Sequence, residues 1–256
     1  MPLVFQPSAN IARLKESATL AVAAKARALK AAGQPIIDLG AGEPDFDTPA
    51  FIRHAAAAAM EAGATRYTAT EGILPLREAI AADANRLLAS GAPITAAEVV
   101  VSTGSKQSLY NACVCCFGPG DEVLVGDPMY ATYEGVIMAP GAKVVPVPLR
   151  PEHGFRMQAA DVEARITTRS RVLMLNTPHN PTGAVLTAED ILALGRVAKA
   201  HDLWILSDEV YEELIFADGK FASPLDVTDL ADRTVAVASI SKSHAAPGFR
   251  SGWAVG

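Results

Sequence analysis

The chain is poor in everything that marks a secreted, membrane-bound or nucleic-acid-binding protein. It has three cysteines in 256 residues, and they fall together as Cys113, Cys115 and Cys116 in LYNACVCCFG. That spacing suits neither a zinc site nor a disulfide framework, so the thiols read as small apolar residues of a buried helix in a reducing cytoplasm. No apolar stretch reaches membrane-spanning length. The N-terminal MPLVFQPSANIARLKES lacks a basic segment followed by an apolar one, so no signal peptide is expected. Positive charge is not concentrated anywhere. The formal net charge is -6, with both signs scattered, which argues against nucleic acid and anionic membrane as partners. Also missing are the G-x-G-x-x-G fingerprint of a dinucleotide-binding dehydrogenase and the G-x-S-x-G elbow of a serine hydrolase. No metal-ligand spacing is present.

What is present is an alternation. Half the residues are hydrophobic, enough for one large or two modest cores. Alanine-rich helical patterns are expected over 17–32, 49–62 and 74–90, with a short strand over 36–39. Strands are then expected at 98–102, 121–125, 143–147, 171–175, 204–207 and 234–239. Helices are expected at 106–117, 130–139, 161–166 and 187–201, and a further apolar run begins at Gly252. Short apolar runs without polar alternation are buried on both faces. Alternating with helices, they predict a largely parallel sheet in a three-layer α/β domain.

In such sheets ligands bind beyond the carboxyl ends of the strands, where four segments fall: STGSKQ, NTPHNPTG, SDEVY and SISK. Lys242 sits at the mouth of an apolar strand with Arg250 eight residues on. Partial burial and a cationic neighbour lower a lysine pKa and make it an amine nucleophile; a solvated surface lysine is the plain alternative. Ser105, Lys106, Ser239 and Arg250 could form an anion site at a helix start. Asp208, at the end of a strand, could pair with a protonated ring nitrogen or simply cap the next helix. Asn180 and Tyr211 could donate to a ring oxygen, or Asn180 could belong to an ordinary turn; His179 reads as a spacer. Amine, anion site, acid and donor pair together are what a pyridoxal phosphate enzyme needs.

The motifs AGEPDFDTP, RYTATEGILPLREAI, STGSKQSLYN, DPMYATYE, NTPHNPTGAV, ILSDEVYEEL and SISKSHAAPGFRSGW resemble those of the class I, fold-type I aminotransferases, in the aspartate and prephenate branch. The resemblance implies a three-layer α/β/α large domain at 48–256, cut short at its C-terminus, and an N-terminal arm with part of a small domain at 1–47. It implies pyridoxal 5'-phosphate as cofactor and ping-pong Schiff-base transamination between an L-amino acid and a 2-oxo acid. Lys242 matches the Schiff-base lysine, and Asp208 the partner of the ring nitrogen. Asn180 and Tyr211 match the donors to the 3'-oxygen, and Tyr130 the aromatic stacked on the ring. Ser105, Ser239 and Arg250, with Lys106 beside them, match the phosphate site. Tyr67 matches the tyrosine that reaches the phosphate of the neighbouring subunit, implying a homodimer with shared sites. Gly42, Thr19, Lys106 and Asn180 match substrate-contacting positions, which favours aspartate and 2-oxoglutarate. The segment SHAAPGFRSGW departs from the usual pattern, and the SKSH form, with DPMY and PHNP, resembles relatives acting on other amino acids, arginine:pyruvate transaminases among them. A β-eliminating lyase and a non-catalytic cofactor-binding fragment are the other readings.

Overall fold

The computed structural model describes residues 4–12, 14, 18–38, 40, 42–88, 93–216 and 219–256. Four helices come first: α1 (Ala9–Ala12), α2 (Ala18–Ala31), α3 (Ala50–Glu61) and α4 (Leu74–Leu87). Strands and helices then alternate: β1 (Val99–Ser102), α5 (Ser105–Cys116), β2 (Glu122–Asp127), α6 (Thr132–Met138), β3 (Lys143–Pro148), α7 (Ala159–Glu163), β4 (Ser170–Asn176), α8 (Ala188–Ala200) and β5 (Trp204–Asp208). The last elements are α9 (Thr228–Ala231), β6 (Thr234–Ser239), α10 (Ile240–Ser243) and β7 (Gly252–Val255).

The local chemistry accounts for the boundaries. Pro75 falls in the first turn of α4, where its missing N–H costs nothing. Thr187 caps α8 in a reciprocal box with Asp190, each side chain accepting from the other residue's backbone N–H. Gly104 precedes α5 at φ +85, a conformation that favours glycine.

The seven strands form one sheet in the order β1-β7-β6-β5-β4-β2-β3. The pairs β2·β3, β2·β4, β4·β5 and β5·β6 are parallel. β7 runs antiparallel to both its neighbours, β1 and β6. Side chains alternate across the sheet. Leu124, Leu173, Leu175 and Ile205 pack against Ile191, Leu194 and Val197 of α8 on one face. Val123, Val125, Val172, Met174 and Leu206 pack against Leu109 and Cys113 of α5 and Tyr133 and Ile137 of α6 on the other. A smaller cluster joins α4 to β1, β6 and β7. The expected three-layer architecture with a mostly parallel sheet is the one observed.

Two expectations are corrected. Residues 36–38 form no strand, Leu39 lying outside the described residues: Ile37 is 88% exposed, and no described strand lies alongside to accept its backbone hydrogen bonds. SDEVY opens a turn and not a helix, so Asp208 caps nothing longer than the Val210 N–H. Among the described residues no helix is long and apolar enough to cross a membrane, and no group of His, Cys, Asp and Glu is placed to hold a metal ion.

Candidate active site

β1, β4, β5 and β6 all point one way, so Ser102, Asn176, Asp208 and Ser239 end at the same edge of the sheet. Antiparallel β7 begins at that edge, with Gly252 opposite both Ser102 and Ser239. Arg250, two residues before it, is therefore delivered to the site by the one reversed strand. An open cleft of about 220 Å³ lies along this edge. Ser105, Lys106, Tyr130, Asn180, Asp208, Tyr211, Lys242 and Arg250 line it, so the four sequence segments do meet.

Asp208 forms the floor. It shares the parity of Leu206 along β5, which turns its carboxylate toward α6. It is 6% exposed, and Oδ2 accepts a hydrogen bond from the Tyr133 hydroxyl at 2.7 Å. Oδ1 accepts from the Val210 N–H at 3.3 Å. Burial raises its pKa, while the bonds from Tyr133 and Val210 oppose that rise. No cation among the described residues forms an ion pair with it.

Asn180 and Tyr211 stand together: Asn180 Nδ2 donates to the Tyr211 hydroxyl at 3.3 Å. Burial raises the Tyr211 pKa, keeping the phenol protonated and able to donate. Asn176 ties both sides of the cleft. Its Oδ1 accepts from the Asn180 N–H at 2.7 Å, and its Nδ2 donates to the Asp208 carbonyl at 2.9 Å. His179 turns away to Thr182, with Nδ1 and the hydroxyl 2.7 Å apart, and burial lowers its pKa to about 4.

Lys242 lies in the one-turn helix α10 directly after β6. Its amine donates to the Gly42 carbonyl. Thr48 donates to the carbonyl of Ala245, in the loop after Lys242. Pro247 opens a short 3-10 turn, and Arg250 follows in the left-handed region at φ 51. Its guanidinium donates to the Pro247 carbonyl at 2.7 Å and lies so close to Gly104 that a β-carbon there would sit 2.1 Å from Nη2. A β-carbon on Gly252 would sit 2.2 Å from the backbone nitrogen of Ser105. The two glycines thus let the start of α5 close up against β7 and Arg250, an arrangement of helix N-terminus and guanidinium suited to an anion. Lys106 places its ammonium 5.9 Å from the centre of the Tyr130 ring.

Ser239 is 2% exposed behind this wall, its hydroxyl capping α10 by accepting from the Ser241 N–H at 3.3 Å. Tyr67 is fully exposed and lines no part of the cleft. Thr19 falls in α2, but its side chain lies outside the described residues. Sequence reasoning missed Tyr133, Asn176 and Ser241. For Asn176 and Ser241 a signal existed, since each lies within a residue or two of a strand's carboxyl end. For Tyr133, inside a helix, there was none.

Residues 34–256 match the family model for aminotransferase class I and II. An arginine–pyruvate transaminase of Pseudomonas aeruginosa is 50% identical over 224 residues, 88% of this chain and 56% of that protein. An aspartate/prephenate aminotransferase of Cereibacter sphaeroides is 43% identical over 251 residues, 97% of this chain and 62% of its own length. The solved aspartate aminotransferase of Thermus thermophilus with maleate superposes with TM-score 0.93 at 38% identity, covering 99% of this chain and 65% of that one. The chain thus spans between about half and two thirds of the length of these relatives.

Proposed function

From the premise that the chain belongs to the aminotransferase class I and II family, we propose that it transfers an amino group between an L-amino acid and a 2-oxo acid, with pyridoxal 5'-phosphate as cofactor. One observation carries the reading. Asp208 is a buried carboxylate on the floor of an open cleft, with no cation paired to it among the described residues. Burying such a charge alone is costly, and a protonated ring nitrogen is the partner it lacks. The cradle at Gly104, Ser105 and Arg250 fits a phosphate, and the Asn180–Tyr211 pair fits a ring oxygen. The residues present therefore fit the group.

The cofactor, when bound, supplies an aldehyde for amines and a ring that accepts the electron pair released at a substrate carbon. The chain supplies the rest. Lys242 holds the cofactor through its amine and, when free, accepts and returns the proton at the substrate Cα. Asp208 holds the proton on the ring nitrogen. Asn180 and Tyr211 donate to the ring oxygen, and Tyr130 stacks on the ring. Ser105 and Arg250 bind phosphate with Lys106 nearby, and Ser239 shapes that corner through its cap. Gly42 lies against the substrate, and Thr19 and Lys106 take its distal group. Tyr67, fully exposed, reaches the phosphate of a second copy in a homodimer. Residues 1–47 act as arm and small-domain portion and 48–256 as the large domain, in a cytoplasmic enzyme of amino-acid metabolism.

Charge favours an acidic substrate such as aspartate with 2-oxoglutarate. The cleft is lined by Lys106, Lys242 and Arg250, and its one described acid is Asp208. The arginine–pyruvate relative supports a second reading, in which a guanidino substrate would have to find its acid elsewhere. The test is a visible absorption spectrum with pyridoxal phosphate, before and after L-aspartate or L-arginine, beside Lys242→Ala. A lysine-dependent band lost on adding aspartate supports the first reading, and loss with arginine alone supports the second. Absence of any band overturns both in favour of a non-catalytic chain, and release of pyruvate from a β-substituted donor would mark a lyase.

A further inference from the structure

Tyr133 has no part in the roles above, yet it touches the residue on which they turn. It is 1% exposed in α6, packed with Leu109, Val125, Ile137 and Met174. Its hydroxyl donates to Asp208 Oδ2 at 2.7 Å, and both groups are buried. The ring of Tyr130 meets it edge-on with centroids 5.4 Å apart, so packing fixes the tyrosine from the cleft side as well. The other carboxylate oxygen has only the 3.3 Å contact from Val210. Asp208 thus has one short hydrogen bond, on one oxygen, from a buried tyrosine.

Resting on the cofactor reading, we infer that Tyr133 is a positioning residue. Its hydroxyl fixes the rotamer of Asp208 and keeps the carboxylate ionised in its buried place, so that a full negative charge faces the protonated ring nitrogen. The physical argument is an opposition of two effects. Burial drives Asp208 toward its neutral form, and the Tyr133 bond is the larger of the two hydrogen bonds that resist it. Among the described residues, the charged and titratable groups around Asp208 are Tyr130 and Tyr133 at α6, Tyr211 and Glu209 after β5, and Lys106, Lys242 and Arg250 along the cleft. None of these except Tyr133 has a hydrogen bond to the carboxylate. With the phenol gone, the proton shared between Asp208 and the ring nitrogen moves toward Asp208, and the ring loses its capacity to take up charge.

The test is Tyr133→Phe, read in two ways. First, carbon-13 NMR of aspartate-labelled protein follows the Asp208 carboxyl against pH without added cofactor, with Asp208→Asn assigning the signal. The midpoint should rise by about one unit, as expected for losing one hydrogen bond to a charged group. Second, pyridoxal phosphate labelled with nitrogen-15 in the ring reports its own protonation when bound. The wild-type signal should stay at the protonated position, while in the variant it should move to the neutral position at a pH lower by about one unit. Should the variant fold poorly, 3-fluorotyrosine incorporated into a Tyr211→Phe background makes Tyr133 a stronger donor and should lower the Asp208 midpoint. An unchanged midpoint in a folded variant, or an unchanged ring signal, overturns the inference. If the wild type binds no pyridoxal phosphate, the proposed function fails, and the Asp208 midpoint still decides whether Tyr133 governs that carboxylate.

Discussion

Asp208 and Glu209 are adjacent, acidic and buried, and the pleat turns them to opposite faces of the sheet. Asp208 looks into the cleft. Glu209, 4% exposed, accepts hydrogen bonds from the Ser207 and Ser223 hydroxyls at 2.7 Å each. The two should respond to amide replacement in opposite ways. Asp208→Asn keeps the shape and still accepts from Tyr133, but carries no charge for a ring nitrogen. Removing one partner of a buried ion pair costs roughly 3 kcal/mol or more, so pyridoxal phosphate affinity should fall roughly 100-fold in a fluorescence titration. Glu209→Gln should instead change stability. Burial raises the Glu209 pKa to about 7, the two serine bonds opposing and Asp208 adding to the rise, against 4.5 for an ordinary glutamate. Between those values the folded chain holds a proton that the unfolded chain has released. Stability therefore falls as pH climbs from 4.5 to about 7 and is level above it, as far as this group is concerned. Melting temperature against pH should lose that descending limb in Glu209→Gln. An unaltered curve would mean that Glu209 does not titrate in this window.

At the scale of elements, the site depends on how closely β7 and the start of α5 approach. Gly252→Ala would push a methyl group into the backbone of Gly104 and Ser105. Overpacking of this kind costs roughly 1–3 kcal/mol. The melting temperature should drop by roughly 2–4 °C per kcal/mol, and phosphate should protect the variant less than the wild type. Thr187→Ala, which dismantles the cap of α8 far from the cleft, should cost about 1 kcal/mol by chemical denaturation and leave cofactor affinity unchanged. The elements most legible in the sequence were the parallel strands, because a strand covered on both faces is a run of apolar residues with no polar interruption. The direction of β7 was not legible, since a four-residue apolar run carries no sign of whether its neighbours are parallel or antiparallel. The expected strand at 36–39 had suitable residues, but over 36–38 no strand among the described residues pairs with it. Lys242, Asp208, Asn180 and Tyr211 could be grouped from their places at strand ends. Tyr133 could not, because its partner lies 75 positions away and its helix reads as ordinary core.

For the whole molecule, the exposed Tyr67 makes assembly testable. α3 buries none of its residues, and Phe51 and Met60 are exposed on it. If Tyr67 completes a neighbour's site, Lys242→Ala and Tyr67→Ala chains refolded together should recover cofactor binding that each lacks or holds weakly alone. Random pairing leaves about one quarter of the sites with both side chains intact. No recovery, with a dimer present by sedimentation, would place Tyr67 outside the shared site. The sheet order has a consequence for how the chain comes together in time. β1 has a single neighbour, β7, and Val99 pairs with Val255. Among the described strands, β1 thus has nothing to pair with until β7 has emerged from the ribosome. The central strands can assemble as they are made, each beside an earlier or adjoining one. β1 and α4 must wait at the margin, and the close approach of Ser105, which follows β1, to Gly252 is made only once β7 has docked.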